Sequence, residues 1–203
     1  IQARPQRVRY RQMACDRHLE VHADSAFAKE DSKGYALKGT NVMRRGVDRK
    51  THDQVWHLLE GTAQSHKNVV RSTFGAELFA ITSAADNLIP LLVTLEEFAA
   101  GGLSTSQARR LRDEGGWCFR SVLVTDSMSL FQAIHAHTIK IPSEKSLALH
   151  LFWLRELLDR QIINELKWCD TRDMTADGHT RGAVDRRMLL SLMDGIFQYQ
   201  HAV

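Results

Sequence analysis

The sequence is short of residues that several classes of protein require. It has three cysteines, three prolines and 12 glycines in 203 residues. Cys15, Cys118 and Cys169 are odd in number and lie far apart, which fits neither a disulfide framework nor a CxxC metal site. We therefore expect reduced, partly buried thiols. The scarcity of proline and glycine excludes collagen-like and low-complexity chains.

Long apolar runs are also missing. The longest, such as residues 88–95, are far shorter than the roughly 20 apolar residues that cross a bilayer, and no signal-peptide pattern opens the chain. We expect an intracellular protein without a membrane partner. The sequence also lacks a GxSxG elbow and a P-loop, which excludes the usual nucleophilic hydrolases and nucleotide triphosphatases.

The remaining composition is that of a globular protein, with 43% hydrophobic and 25% charged residues. The length is that of one domain or a slightly enlarged one. The net charge is only +3, yet basic residues cluster before residue 18, at residues 44–50 and at residues 109–112. Such clusters suit a polyanionic partner, although a solvated surface is the alternative. We predict a basic N-terminal arm or linker at 1–17, followed by a domain at 18–203.

Hydrophobic periodicity predicts the element order βββαβαβα. The predicted strands are 18–24, 33–47, 54–59, 121–125 and 163–169, and the predicted helices are 72–95, 127–137, 143–160 and 185–199. Ser72 or Thr73 is the expected N-cap of the first helix, and Pro90 is expected to break or kink it. An extra basic helix at 104–114 lies between glycine pairs, within a predicted helical insert at 96–118.

Acidic residues occur where these elements end or begin. Asp24 and Asp126 each end a predicted strand, Glu77 lies in the first turns of a helix, and Asp177 follows the last strand. Ligands of open α/β sheets gather at the carboxyl ends of strands, so these carboxylates are expected to converge. Converging carboxylates repel one another unless cations lie between them. Magnesium prefers such oxygen ligands, and two ions can promote displacement at a phosphodiester.

Four stretches carry a family resemblance: LEVHADSAFA around Asp24, VVRSTFGAELFAI around Glu77, LVTDSMSLFQAI around Asp126 and MTADGHTRG around Asp177. Together they resemble the ribonuclease H domain of copia-type retrotransposon polyproteins. That family has D-S/A-x-[FWY]-A, [RS]-S-T-x-x-A-E, T/C-D-S/N and A-D-x-x-T-[KR]-G motifs in the same order. Each motif is short, but four in family order over about residues 18–190 make a specific signal.

The resemblance implies an α/β, ribonuclease H-like fold with a mixed five-stranded sheet and flanking helices. It implies two Mg²⁺ ions, replaceable by Mn²⁺, held by the catalytic residues Asp24, Glu77, Asp126 and Asp177. The implied activity is cleavage of the RNA strand of RNA/DNA hybrids, with a reverse transcriptase domain as partner in one polyprotein. Ile1 is then expected to be an internal residue of that polyprotein. The expected location is the cytoplasm or nucleus, with a virus-like particle as an alternative.

Further residues are candidates for binding the substrate: Ser25, Arg71, Ser72, Ser127, Arg44 and Arg45. Asp170 and Asp173 compete with Asp177 for the fourth acidic position. The loop before Asp177 lacks the histidine that many ribonucleases H place there to aid product release, which puts turnover in question. The rival hypotheses are a catalytically inactive nucleic-acid-binding tether and an integrase-like nuclease with three carboxylates.

Overall fold

The computed structural model describes residues 7–26, 36–66, 70–138, 140, 142–180 and 186–201. The strands are β1 (Met13–Ala26), β2 (Leu37–Asp48), β3 (Gln54–Ser65), β4 (Arg120–Thr125) and β5 (Glu165–Trp168). The helices are α1 (Thr73–Ala100), α2 (Thr105–Glu114), α3 (Met128–His135), α4 (Ser146–Asp159), α5 (Asp177–Thr180) and α6 (Arg187–Met193). A single 3₁₀ turn, Thr171–Asp173, separates β5 from α5.

The five strands form one mixed sheet in the order β3-β2-β1-β4-β5. The β1–β2 and β2–β3 pairs are antiparallel, whereas β1–β4 and β4–β5 are parallel. Residues 49–53 join the antiparallel strands β2 and β3, and helices lie in the connections that lead to the parallel strands β4 and β5. The predicted α/β class and mixed five-stranded sheet are confirmed.

Helix α1 is the central helix of the domain. Ser72 is its N-cap, since the Ser72 hydroxyl accepts a hydrogen bond of 3.1 Å from the Gly75 amide. The predicted break at Pro90 does not occur, and the helix continues to Ala100. Leu88 and Leu92 are both fully buried on either side of the exposed proline, so packing holds the helix together despite the lost backbone hydrogen bond.

The length and composition of α1 would also suit a membrane span. Its most apolar stretch has a mean hydropathy of 1.6, and 44% of that stretch is buried within the protein. The buried residues face the sheet and α4, as in the core helix of a globular domain. Among the described residues, no other helix has this combination of length and apolarity.

Helix α2 projects from the domain and buries no residue completely. This is the short basic helix that was predicted between glycine pairs, and a capping box between Ser104 and Gln107 starts it. Gly115, at a φ of 73°, ends it against the backbone of Gln161, where a Cβ would lie 2.6 Å from the Gln161 carbonyl oxygen. The helix is thus attached near the C-terminal end of α4.

The sheet is buried on both faces. Leu19, Val21 and Ala23 of β1 belong to the larger core, which includes α1 and α4. The alternating residues of β1 point to the opposite face, which the chain after β5 covers. There Trp56 and Phe197, both fully buried, lie in a smaller core with Met43 and Leu192. The polar face of β1 is therefore enclosed, which the alternation alone did not predict.

Several predicted boundaries are wrong, including the end of β3, which lies at Ser65 rather than at residue 59, and the end of α1, which lies at Ala100 rather than at residue 95. Strand β1 begins at Met13 rather than at residue 18, and its register with β2 shifts between Cys15 and His18. The closing helix predicted for 185–199 ends at Met193. Gly195, at a φ of 77°, adopts the left-handed conformation that ends helices, and the Ile196 amide bonds back to the Ser191 carbonyl. The chain then continues without helix to Tyr199.

Candidate metal centre

Three carboxylates meet at one edge of the sheet because two strands run in parallel. His22 of β1 lies opposite Val124 of β4. Asp24 and Asp126, each two residues further along, therefore reach the same carboxyl-end edge. Helix α1 packs across β1 and starts at this edge, and its first turns bring Glu77 to the same place.

One carboxylate oxygen from each of Asp24, Glu77 and Asp126 lies within 4.8 Å of the other two. Asp24 is fully buried, and its Oδ1 atom is shielded from solvent without a hydrogen-bond partner among the described residues. Three like charges at this separation are costly unless a cation lies between them. A cluster of hard oxygen donors with an unsatisfied buried oxygen fits Mg²⁺ or Mn²⁺.

Asp177 is not a member of this three-carboxylate cluster. It is 5% exposed and begins the one-turn helix α5, which lies over β1 and β2. From α5 the Thr180 hydroxyl donates a hydrogen bond to Asp24 Oδ2, so the helix is attached to the cluster. The role of Asp177 as fourth metal ligand stays a prediction.

The two competing aspartates are engaged elsewhere. Asp173 is fully buried and accepts hydrogen bonds from the amides of Gln200 and His201 and from the His201 ring. Asp170 caps the 3₁₀ turn and holds the Arg172 guanidinium with both oxygens, which lowers the pKa of the Asp170 carboxyl. These contacts favour Asp177 over both residues as a ligand.

Glycines allow α5 to lie this close to the sheet. Gly39 of β2 is opposite Asp24 in the sheet register. A Cβ on Gly39 would lie 2.8 Å from the Ala176 carbonyl oxygen and 2.9 Å from Thr180 Cγ2. Gly61 of β3 faces His179, whose Nε2 atom is 2.8 Å from Asn41 Oδ1.

A buried polar network holds the segment before α5 against β1. His22 Nδ1 accepts from the Thr175 amide at 3.4 Å, so His22 Nε2 carries the proton and donates to the Tyr199 hydroxyl at 2.8 Å. The Tyr199 hydroxyl donates in turn to Glu20 Oε2 at 2.6 Å. On the other side, His18 Nε2 lies 2.9 Å from Glu20 Oε1. The Asn41 side chain also donates to the Thr175 hydroxyl at 3.1 Å.

This network determines the charge of its members. Burial alone would raise the pKa of Glu20, but the contacts with His18, His22 and Tyr199 outweigh burial and hold the pKa well below its ordinary value. Burial and the neighbouring Glu20 charge raise the pKa of the Tyr199 hydroxyl far above its ordinary value. The network therefore contains an ionised glutamate beneath a neutral tyrosine.

The candidate substrate-binding serines lie at or near the cluster. Ser25 is buried, and its hydroxyl donates to the Leu37 carbonyl at 3.0 Å while lying 3.2 Å from His66 Nε2. Ser127, the N-cap residue of α3, directly follows Asp126 and is half-buried. Ser72 caps α1 and lines a cleft of about 580 Å³ together with the exposed Arg71.

The structure does not bring Arg44 and Arg45 to the cluster. Arg44 lies opposite Leu19 in the β1–β2 register. Leu19 is five residues before Asp24 on β1, which corresponds to roughly 17 Å along the strand. The Arg44 guanidinium lies over the Phe119 ring, and Arg45 pairs with Asp16 at 2.6 Å. Arg44 and Arg45 therefore do not contact the carboxylates. Their role in binding the substrate stays a prediction.

Two residues at the site, Thr180 and Trp168, were not identified from the sequence. Thr180 occupies the threonine position of the A-D-x-x-T motif, which was the available signal for its contact with Asp24. Trp168 of β5 donates from its indole nitrogen to the Asp126 carbonyl at 2.9 Å and so fixes the backbone at the end of β4. No local sequence signal marks that second contact.

The chain is similar in structure to several solved ribonuclease H domains. One is the N-terminal ribonuclease H domain of a Mycobacterium tuberculosis protein, with a TM-score of 0.48 and 15% identity over 80% of this chain and 90% of that chain. Another is ribonuclease H1 of Halobacterium salinarum, with a TM-score of 0.48 and 13% identity over 80% and 93% of the two chains. A third is LC11-RNase H1 in complex with an RNA/DNA hybrid, with a TM-score of 0.49 and 12% identity over 83% and 97%.

No protein-family model and no curated protein matches the sequence. The sheet order and strand directions give an α/β fold with a mixed five-stranded sheet, which agrees with the fold that the resemblance implies.

Proposed function

We propose that this protein is a Mg²⁺-dependent endoribonuclease that cleaves the RNA strand of RNA/DNA hybrids. One observation carries the proposal: oxygens of Asp24, Glu77 and Asp126 lie within 4.8 Å of one another. These are three of the four acidic residues that the copia-type motifs assign to the catalytic site. Carboxylates from three separate parts of the sequence thus lie close together, which supports the proposal.

Asp24, Glu77 and Asp126 would hold the ions, with Asp177 as the predicted fourth ligand. Bound there, two Mg²⁺ ions would activate a water molecule and stabilise the leaving oxygen at a phosphodiester. The chain itself prepares the site. Thr180 and Trp168 fix the side chain of Asp24 and the backbone of Asp126, respectively. The products would be a 3′-hydroxyl and a 5′-phosphate.

The cleft beside Ser72 would receive a backbone phosphate of the substrate. Arg71 and Lys140 are both exposed along this cleft and supply positive charge. Ser72 Oγ already accepts from the Gly75 amide, so its hydroxyl hydrogen is available to donate to a phosphate oxygen. Contacts to 2′-hydroxyls across the minor groove would provide selectivity for RNA without reading its bases.

The experiment is hydrolysis of an end-labelled RNA/DNA hybrid in Mg²⁺ or Mn²⁺. We expect the wild type to cut the RNA strand, and Asp126→Asn to lose more than about a hundredfold in rate, because it replaces a proposed carboxylate ligand with a neutral amide. Asp113→Asn, a change at the exposed end of α2, is the matched control and should cut normally. Thermal unfolding of each variant tests whether the fold is retained.

Two other outcomes would replace the proposal. A wild type that binds the hybrid with Mg²⁺ present and never cuts it would be the inactive tether. Cleavage of duplex DNA as fast as of the hybrid would indicate an integrase-like nuclease. Retention of full activity by Asp126→Asn would show that the three-carboxylate cluster is not the catalytic site.

We further propose that the chain is part of a copia-type retrotransposon polyprotein with a reverse transcriptase domain as its partner. The four motifs in family order support this context. The same context would place the protein in the cytoplasm or nucleus or in a virus-like particle. Sequencing the DNA that flanks the coding segment tests the proposal, and an upstream reading frame without polymerase motifs would contradict it.

A further inference from the structure

The two oxygens of the Asp24 carboxylate have different surroundings. Oδ2 accepts a hydrogen bond from the Thr180 hydroxyl, whereas Oδ1 has no hydrogen-bond partner among the described residues. Both side chains are enclosed, since Asp24 is 0% and Thr180 is 5% exposed. A single hydroxyl therefore distinguishes the two oxygens of the most deeply buried carboxylate in the cluster.

Packing fixes the position of that hydroxyl. Helix α5 lies on the glycine surface formed by Gly39 and Gly61, with Thr180 Cγ2 2.9 Å from where a Cβ on Gly39 would be. The Asn41 side chain anchors the chain on both sides of Asp177, through the Thr175 hydroxyl at 3.1 Å and the His179 ring at 2.8 Å. The hydroxyl is thus presented from a backbone held at several points.

A carboxylate rotates easily about its last torsion, which has broad minima. An outer hydrogen bond to one oxygen fixes that rotation and leaves the other oxygen directed to a ligand. We propose that Thr180 is a positioning residue whose hydroxyl holds Asp24 Oδ2 and leaves Oδ1 as the oxygen that binds a divalent cation with Glu77 and Asp126. This inference rests on the proposed function for the nature of the site.

The test is calorimetric titration of the protein with Mg²⁺ alone, without nucleic acid. Thr180→Val keeps the shape of the side chain and removes the hydroxyl, and we expect it to weaken Mg²⁺ binding about tenfold. Thr180→Ser restores the hydroxyl and should bind within about twofold of the wild type. Thr82→Val is the matched control, because the Thr82 hydroxyl is buried but donates to the Leu78 carbonyl within α1.

Thermal unfolding in EDTA separates metal binding from folding. If Thr180→Val does not fold, Thr180→Ala makes the same comparison with a smaller side chain. The proposal would be overturned if the folded Thr180→Val or Thr180→Ala protein bound Mg²⁺ as tightly as the wild type. It would also be overturned if Thr180→Ser bound Mg²⁺ weakly. A wild type that binds no Mg²⁺ would overturn it too. A wild type that binds Mg²⁺ but leaves hybrids intact would instead refute the proposed function, and the titration would still decide the role of Thr180.

Discussion

Individual buried groups in this protein differ in how their surroundings change their ionisation. Burial raises the pKa of the Cys118 thiol to about 11 and raises that of the Cys169 thiol further, so both are protonated, unreactive thiols at neutral pH. Burial, with a smaller effect of the Lys38 charge, lowers the pKa of His66 to about 4. His179, which lies two residues after Asp177, contacts the Asn41 side chain.

His66 makes a testable contribution to the pH dependence of stability. Because its pKa is lower in the folded state than in the unfolded chain, the unfolded chain binds more protons between about pH 6.5 and 4. Stability contributed by neutral His66 is therefore present above pH 6.5 and is lost as the pH falls towards 4. Between pH 7 and 4 we expect the free energy of unfolding of His66→Gln to fall by roughly 2 kcal/mol less than that of the wild type, measured by urea unfolding at pH 7, 5 and 4. Parallel stability curves for wild type and variant would contradict it.

At the scale of elements, close packing of a very short helix determines the geometry of the site. Helix α5 has only four residues and cannot be stable in isolation. It forms because Gly39 and Gly61 allow its backbone to approach β2 and β3, and because Thr175 and His179 bond to Asn41. The hydrogen bond from Thr180 of α5 to Asp24 depends on that approach.

Adding a methyl group to this glycine surface should separate α5 from the sheet. Gly39→Ala places a Cβ 2.8 Å from the backbone oxygen of Ala176, which cannot move without shifting α5. We expect a loss of about 1–3 kcal/mol in the free energy of unfolding, together with weaker Mg²⁺ binding. Gly61→Ala is the graded control, since its nearest contact is 3.1 Å, to the side-chain oxygen of Asn41. Equal effects of the two substitutions on stability would show that the close approach at Gly39 is unimportant.

The whole molecule has a core on each face of the sheet. The larger core lies beneath α1 and α4, and the smaller one lies beneath the chain that follows β5. That chain closes over the polar residues of β1, and it also carries Asp177 and Thr180. Folding of the second core and formation of the candidate metal centre are therefore expected to occur together.

Phe197 tests the importance of this second core. It is fully buried between Trp56, His22 and Tyr199, with ring-centroid distances of 5.7 Å to Trp56 and 5.0 Å to Tyr199. We expect Phe197→Ala to lower the free energy of unfolding by about 3–5 kcal/mol. The neighbouring Ile196 is 52% exposed, and Ile196→Ala should cost much less. Similar losses from both variants, measured by denaturant unfolding, would show that the segment does not form a core.

Much of the architecture could be predicted from local patterns in the sequence. Alternation in β1, the apolar run of β4 and the three-to-four spacing of α1 reflect periodicities that one element determines by itself. The Ser72 cap and the capping box of α2 are equally local. The closing helix is shorter than predicted, because its apolar periodicity continues past Gly195. The backbone hydrogen bonds that end the helix are visible only in the structure.

The sequence by itself determined which carboxylates could meet, because each stands at the end or start of an element whose type local residues specify. Only the tertiary structure decided that Asp24, Glu77 and Asp126 share one cluster, while Arg44 and Arg45 lie far along the sheet. It also decided that the polar face of β1 is buried and that Thr180 contacts Asp24 across 156 residues of sequence. These contacts depend on how distant segments pack together, and no local periodicity encodes that packing.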